Sequence, residues 1–337
     1  MRVVLHAGAE VTGGLLAHVA LLARETAAAG HEVCVALSEA AGADPAARRC
    51  REAGALVERI SVKGKGDWRG MAALRRSVRR LRADVFHAHL SSPIEGIPVL
   101  AAARAGGARI VLTTEHAPTH FPLERFYSRA AKRIASRALD AVVAVCASDA
   151  AFLRDAFGVP ERLLRVIPNG VDPVRPDPDR SAAREARGVG GAAGPVVGFL
   201  GALEPKKGVL DLLEAFEQME AEGRALLLAG EGSLEHEVRR RTEAPGPRVV
   251  ALGREEDLPG FMASIDLFAL PSHQEAMPLA LLQAMSAARP IVASRVGGIP
   301  EALGEGAAGR LVEPGRPEAL ARALDDLWRA PVEARRL

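Results

Sequence analysis

The sequence has little of what staples or metallates a small fold. Its three cysteines, Cys34, Cys50 and Cys146, fall at no metal-ligand spacing, so they are expected as packing residues of a protein kept in a reducing compartment. No His-Cys cluster, His-Glu-x-x-His pair or usable Ser-His-Asp arrangement is present, which argues against metal catalysis and hydrolytic triads. No apolar run approaches the roughly 18 residues of a membrane-spanning helix, and with 48% hydrophobic residues a soluble, globular protein is expected. The first residues, Met1-Arg-Val-Val-Leu-His-Ala-Gly, read as a short strand without the hydrophobic length or cleavage site of a signal peptide, so the expected location is cytoplasmic. A net charge of only +2 makes no case for nucleic acid. Lysine is scarce, five residues against thirty-nine arginines, and Asn169 is the only asparagine.

What is present is an alternating pattern. A chain of 337 residues suffices for two domains, each with its own core. Short apolar strands are expected at residues 3–6, 33–37, 56–60, 85–88, 110–114, 141–145 and 164–167, with helices near 15–29, 44–53, 69–82, 94–105, 122–137 and 147–157. This is the pattern of a parallel sheet with helices on both faces. The first domain is assigned residues 1–172 and closes on the turn signal Asn169-Gly170. Residues 173–194 are crowded with proline, glycine and charge and are expected to be a flexible linker; Asp177-Pro-Asp179 within it reads as a coincidental carboxylate pair rather than a metal site. The pattern then restarts in a second domain, residues 195–337, with strands at 196–200, 225–229, 249–252, 266–270 and 291–294 and helices at 208–222, 233–242, 256–263 and 279–288. Two such sheets bind ligands at the carboxyl ends of their strands, so a site in a cleft between them is expected. Two basic stretches, Arg75 to Arg82 and Arg125 to Arg137, read first as solvated helix faces and second as contacts for an anionic membrane.

Several strand ends carry chemistry. In the run from Pro271 to Glu301, Pro278 suits a first helical turn, and the following helix is so apolar that it is expected to be buried on all sides, leaving the Gln283 amide in need of a partner. Glu275 lies just before that helix, and free backbone N–H groups at its start favour anions and polyols. Gly201-Ala-Leu-Glu-Pro-Lys-Lys-Gly208 joins a strand to a helix. Two of the five lysines, Lys206 and Lys207, stand there against the helix dipole, an arrangement that suits a diphosphate better than helix stability. Thr12-Gly13-Gly14 and Gly230-Glu-Gly232 are glycine turns at two further strand ends, each unspecific alone. His87 and His89 are expected on opposite faces of their strand, with one of them facing the cleft, and His116 follows the strand at 110–114.

In this order and at these strand ends, the motifs resemble those of the family 4 glycosyltransferases, over about residues 2 to 329. The resemblance rests on Glu275 with position 283 eight residues on, on Gly297-Gly298 and Glu301, on Gly201, Leu203, Lys207 and Gly208, on the two glycine turns, and on His116. It implies a GT-B fold: two doubly wound, Rossmann-like α/β domains facing across a cleft, the second holding a nucleotide-diphosphate sugar and the first the acceptor. The implied reaction is transfer of a hexosyl group to an acceptor hydroxyl with retention of configuration, without metal or other cofactor. Carried over residue by residue, the catalytic set is His116, Lys207 and Glu275. The donor-binding set is Gly13, Gly14, Gly201, Lys206, Lys207, Gly230, Glu275, Ala276, Met277, Pro278, Leu279 and Gln283, and His89 is assigned to the acceptor. The implied partners are a nucleotide-sugar donor and a glycan, lipid-linked sugar or small-molecule acceptor, with no nucleic acid and with peripheral contact at the inner membrane face as the finer expectation.

The sequence departs from the family pattern at three places. Ala202 stands where an arginine is usual, Gln283 where a second glutamate is usual, and the chain stops at Arg335-Arg-Leu337, short of the family's final crossing helix. These departures motivate the alternative of a non-catalytic or donor-impaired relative that partners an active transferase. A dehydrogenase is disfavoured because no Gly-x-Gly-x-x-Gly follows the first strand with an acidic residue closing the second. A sugar-nucleotide epimerase of the same fold has no feature in its favour.

Overall fold

The structure is a computed structural model that describes residues 1–8, 13–38, 45–60, 62, 66–90, 96–115, 132–243, 246 and 248–330. The chain divides into two compact units, Met1–Asn169 and Gly170–Leu337.

The first unit contains strands β1 (Arg2–Ala7), β2 (Glu32–Leu37), β3 (Leu56–Arg59), β4 (Val85–Leu90), β5 (Ile110–Glu115), β6 (Ala141–Ala144) and β7 (Leu164–Val166). They form one parallel sheet in the order β3-β2-β1-β4-β5-β6-β7. Period-two alternation sends successive side chains to opposite faces. Val3, Leu5 and Ala7 of β1 and Val33, Val35 and Leu37 of β2 pack with Leu16, Val19, Ala20 and Ala23 of the helix Gly14–Ala28. The alternate residues Val4, Cys34 and Ala36 join Phe86 and Ala88 in a second cluster beneath Leu74, Val78, Val99, Leu100 and Leu153 of three other helices. The unit is therefore doubly wound, as the alternating pattern predicts. Cys34 and Cys50 take part in these clusters, and all three thiols are free and buried. Burial pushes the Cys34 thiol up to about 12, so it stays a neutral packing group.

The second unit contains β8 (Val196–Leu200), β9 (Ala225–Ala229), β10 (Arg248–Gly253), β11 (Leu267–Leu270), β12 (Ile291–Ser294) and β13 (Arg310–Val312), all parallel, in the order β10-β9-β8-β11-β12-β13. β13 and the closing helix Pro317–Arg329 lie beyond the expected elements. The helix is amphipathic, burying Leu320, Ala321, Leu324 and Leu327, and each such leucine contributes about 1.5–3 kcal/mol. Its Asp325 is buried as well and accepts the Glu220 and Ala221 amides at 2.8 and 3.2 Å.

The expected linker is corrected. Residues 173–194 fold onto the second unit, where Asp179 caps the helix Arg180–Ala186 by accepting the Ala182 amide at 2.9 Å. Arg180 and Arg184 of that helix both pair with Asp266, which also accepts the Val196 amide at 2.8 Å. Arg187, buried, pairs with Glu255 and Asp257 at 3.0 and 2.9 Å. The charge that makes this stretch look like a connector is paired with Asp266 before β11 and with Glu255 and Asp257 after β10, so it fixes the segment to the second unit.

Candidate functional site

In the second unit the strand order reverses between β8 and β11. The chain leaves β8 for β9 on one side and returns through β11 on the other, so the loops that follow these two strands open a crevice at their carboxyl ends. They are the two loops singled out from the sequence. After β8 come Gly201 to Glu204, a 3₁₀ turn Pro205–Lys207, and the helix Val209–Gln218; after β11 come Pro271 to Pro278 and the helix Leu279–Ser286.

At the crevice Lys207 Nζ donates to Glu275 Oε1 at 2.6 Å, and the Ser272 hydroxyl donates to the same oxygen at 2.9 Å. The Lys207 side chain keeps 21% of its exposure and that of Glu275 8%, so the pair is shielded without being sealed. The backbone ties the two loops together, since the Lys206 carbonyl accepts the His273 and Gln274 amides at 2.9 and 3.3 Å. Lys206 itself points its side chain to solvent. Farther along, His273 Nε2 lies 2.6 Å from Asp211 Oδ2.

Two glycines make this closeness feasible. Gly208 has φ +66° and caps the helix Val209–Gln218, and a Cβ there would meet the Pro271 carbonyl oxygen at 2.0 Å. Gly297, φ +55°, would place a Cβ 1.8 Å from the Glu275 carbonyl oxygen, while the next amide, Gly298, donates to Ala276 O at 2.7 Å. Any other residue at either position would push the loops apart.

The remaining expected donor residues collect around the same loops. Gly201 N donates to Ala229 O and Leu203 N to Glu231 O, each at 2.9 Å, which lays the loop after β9 beside the loop after β8, and Gly230 N donates to Gly253 O of β10 at 2.7 Å. Glu204 accepts from the Ser233 amide and hydroxyl at 2.9 and 2.7 Å, and these bonds hold its carboxyl below the usual range. Ala276 accepts the Gly298 amide, Met277 is buried, and Pro278 is the N-cap of its helix rather than the first helical residue. The helix Leu279–Ser286 is corrected in two respects. It ends before Ala288, which has φ +51°. It also buries only one face, through Leu281 and Ala284, while Leu279 and Gln283 are half-buried. The Gln283 amide makes no side-chain hydrogen bond among the described residues, so the partner expected for it inside a sealed helix is not needed.

The first unit has its own reversal, between β1 and β4. Gly13, φ +58°, caps the helix Gly14–Ala28 at the end of β1. At the end of β4, the expectation that His87 and His89 face opposite ways is wrong: their ring centroids are 4.2 Å apart. Residues two apart on a strand share a face. His89 is fully buried, with the His18 ring edge-on 5.3 Å away, and His87 Nε2 lies 2.6 Å from the Thr114 hydroxyl. His18, whose pKa is lowered by burial, lies on the side of its helix away from Leu16, Val19, Ala20 and Ala23, and no sequence signal singles it out. Also unforeseen is a fully buried pair, Lys132 and Glu115, in which Lys132 Nζ donates to Glu115 Oε1, joined by the Thr113 hydroxyl at 3.1 Å. His116 and Thr12 lie outside the described residues. Among the described residues there is no cluster of three or more metal-ligating side chains, and no helix is long and apolar enough to cross a membrane.

Both halves of the chain match known families. The family model described as "Glycosyltransferase Family 4" matches residues 12–175, and that described as "Glycosyl transferases group 1" matches residues 194–330. The chain belongs to the family 4 glycosyltransferases. Among curated members, a GDP-mannose-dependent α-(1-6)-phosphatidylinositol monomannoside mannosyltransferase from Mycolicibacterium smegmatis is 32% identical over 249 residues, 69% of this chain and 64% of that protein. A 2-deoxystreptamine N-acetyl-D-glucosaminyltransferase from Streptomyces fradiae is 28% identical over 268 residues, 74% of this chain and 63% of that one. The matches thus span just under two thirds of these relatives' own lengths. A glycogen synthase from Mycobacterium tuberculosis is 28% identical over 361 aligned positions, 97% of this chain and 85% of that one. Among solved structures, that of Anabaena HepE in complex with UDP-glucose superposes with a TM-score of 0.82 at 22% identity, covering 100% of this chain and 92% of that one. This family 4 chain accordingly has the GT-B class of fold, built from two Rossmann-like parallel-sheet units.

Proposed function

We propose that the protein transfers a hexosyl group from a nucleotide-diphosphate sugar to an acceptor hydroxyl, with retention of configuration and without a metal ion. The observation that carries this reading is the Lys207–Glu275 pair at the reversal of the second sheet, 2.6 Å apart in a half-shielded crevice between two loops that each lead into a helix. Departure of a nucleoside diphosphate develops negative charge, and fixed donors in a shielded site stabilise such charge strongly. Lys207 and the loop amides take the departing phosphates. Glu275 and the backbone from Ala276 to Leu279 orient the sugar hydroxyls, and the Gln283 amide, with no protein partner among the described residues, reaches the nucleotide ribose. The family resemblance assigns Gly13 and Gly14 to the donor phosphates, His116 to the reacting carbon and His89 to the acceptor, and those roles belong to the same proposal.

The relatives' names include GDP-mannose, glucosaminyl and glycogen chemistry, so base and sugar are determined by assay. The test is incubation with UDP-, GDP- and dTDP-sugars, following donor hydrolysis, transfer and thermal shift, with product anomers read by NMR. Hydrolysis or transfer of at least one donor, unchanged by EDTA, and an axial or equatorial linkage matching that of the donor are expected. Absence of hydrolysis and of stabilisation by every nucleotide would overturn the enzyme reading in favour of a donor-impaired partner protein. A product of inverted configuration would overturn retention.

A further inference from the structure

We propose that His273 is a positioning residue for the transfer reaction: it brackets Lys207 and holds the ammonium where the departing diphosphate is met, a role that rests on the function proposed above. Three contacts place it there. The His273 amide donates to the Lys206 carbonyl at 2.9 Å. Its ring lies against Gly208, where a Cβ would come within 3.4 Å of the imidazole Cδ2. Its Nε2 donates to Asp211 Oδ2 at 2.6 Å, and because a carboxylate only accepts, Nε2 carries the proton. One residue of the loop after β11 thus grips the chain on either side of Lys207 and at the helix that follows.

Stability does not account for this grip. The His273 and Asp211 side chains keep 44% and 23% of their exposure, and pairs so exposed add little to folding. The loop after β11 is also tied down independently, by the Gly298 amide on the Ala276 carbonyl. What the grip fixes is direction. Lys207 ends a single 3₁₀ turn, Pro205–Lys207, whose N-cap makes no side-chain bond, and a lysine ammonium rides on a flexible four-carbon stem. The backbone of Lys207 must therefore be located from outside the turn if Nζ is to meet Glu275 Oε1 at one place. Asp211 supplies the fixed reference, since it stands in the first turn of the helix Val209–Gln218, which buries Val209, Leu212, Leu213 and Phe216 in the core. A fixed donor stabilises developing charge only while it stays aligned, and a misplacement of about 1 Å can cost roughly a hundredfold in rate.

The experiment compares His273→Ala and His273→Gln with the wild type, because glutamine can present an amide N–H near the place of Nε2. One readout is kcat with a donor found in the panel. The other is labelling of Lys207 by limiting acetic anhydride, measured by mass spectrometry against its exposed neighbour Lys206. His273→Ala is expected to lower kcat by roughly 10- to 100-fold and to raise the ratio of Lys207 to Lys206 labelling, with the urea midpoint almost unchanged. His273→Gln is expected to restore most of both. An unchanged labelling ratio in His273→Ala, a raised ratio with undiminished kcat, no recovery with glutamine, or a loss of kcat that only follows a loss of stability would each overturn the proposal. If the wild type turns over no donor, the transferase reading falls, while the labelling ratio still decides whether His273 holds Lys207.

Discussion

Replacing Lys207 by alanine separates the two things its ammonium does. In the folded protein it neutralises Glu275, whose side chain is only 8% exposed and whose Oε1 would be left with the Ser272 hydroxyl at 2.9 Å as its one side-chain donor. Leaving a largely buried carboxylate under-satisfied costs about 1–3 kcal/mol of stability. On the proposed function the same ammonium meets charge that develops on the departing diphosphate, and loss of one such donor is expected to lower kcat by roughly 100- to 1000-fold. Lys207→Ala is therefore expected to lower both the urea midpoint and kcat, and Lys207→Ala/Glu275→Gln to recover stability, because a neutral amide tolerates the site, without recovering turnover. The assays are denaturation followed by circular dichroism and steady-state kinetics with the donor identified from the panel. Unchanged kinetics in Lys207→Ala would show that the phosphates bind elsewhere. Full recovery of turnover in the double variant would show that Lys207 is only a counter-ion for Glu275.

Three further outcomes follow from the same geometry. Gln283→Glu replaces a neutral hydrogen bond by a charge-assisted one, a gain of about 1 kcal/mol or roughly fivefold in donor affinity; calorimetry showing weaker binding would count against ribose contact at this position. Lys132→Met strands the buried Glu115 carboxylate and is expected to destabilise by about 3–5 kcal/mol, whereas Lys132→Met/Glu115→Leu restores most of that loss; a single variant as stable as the wild type in urea would refute the pairing. Burial alone lowers the His6 pKa from 6.5 to about 4, so the unfolded chain binds the proton more readily than the folded one. Stability is then intact above about pH 6.5 and falls as pH drops toward 4, by at most about 3 kcal/mol from this group. His6→Leu should flatten the urea midpoint across that window, and an unaltered slope would contradict the assignment.

The strands of both sheets were legible because buried parallel strands are short apolar runs between turn residues, as in β9, Ala225–Ala229. β13 has too few residues, three, to carry a period, and residues 173–194 read as a linker because composition reports charge but not its partners. Arg180 and Asp266 stand 86 positions apart, and nothing local announces that they meet. The face of His89 was misjudged from the spacing itself, since two residues along a strand is one full period. The site was legible as residues and illegible as a place: Lys207 and Glu275 are 68 positions apart and meet only because β8 and β11 are neighbours in the sheet. His18 is hidden in an apolar helical run, and Lys132, which reads as part of a solvated basic face because the charge of its neighbours dominates the pattern, is instead fully buried against Glu115.

The same topology bears on what Ala202 and Gln283 mean. A failing donor site would be expected to lose the backbone geometry that brings its loops together, because that geometry excludes most residues at a few positions. Here it is intact. Gly208 and Gly297 still admit carbonyl oxygens at distances a Cβ would forbid, the Lys206 carbonyl still holds the amides of the opposite loop, and the Lys207–Glu275 pair is formed. Neither departure carries this frame: Ala202 is exposed and Gln283 half-buried, and neither supports a loop through a side-chain bond among the described residues. On the proposed function, substitutions that leave the frame untouched are expected to alter which donor is held and how tightly rather than to abolish the site.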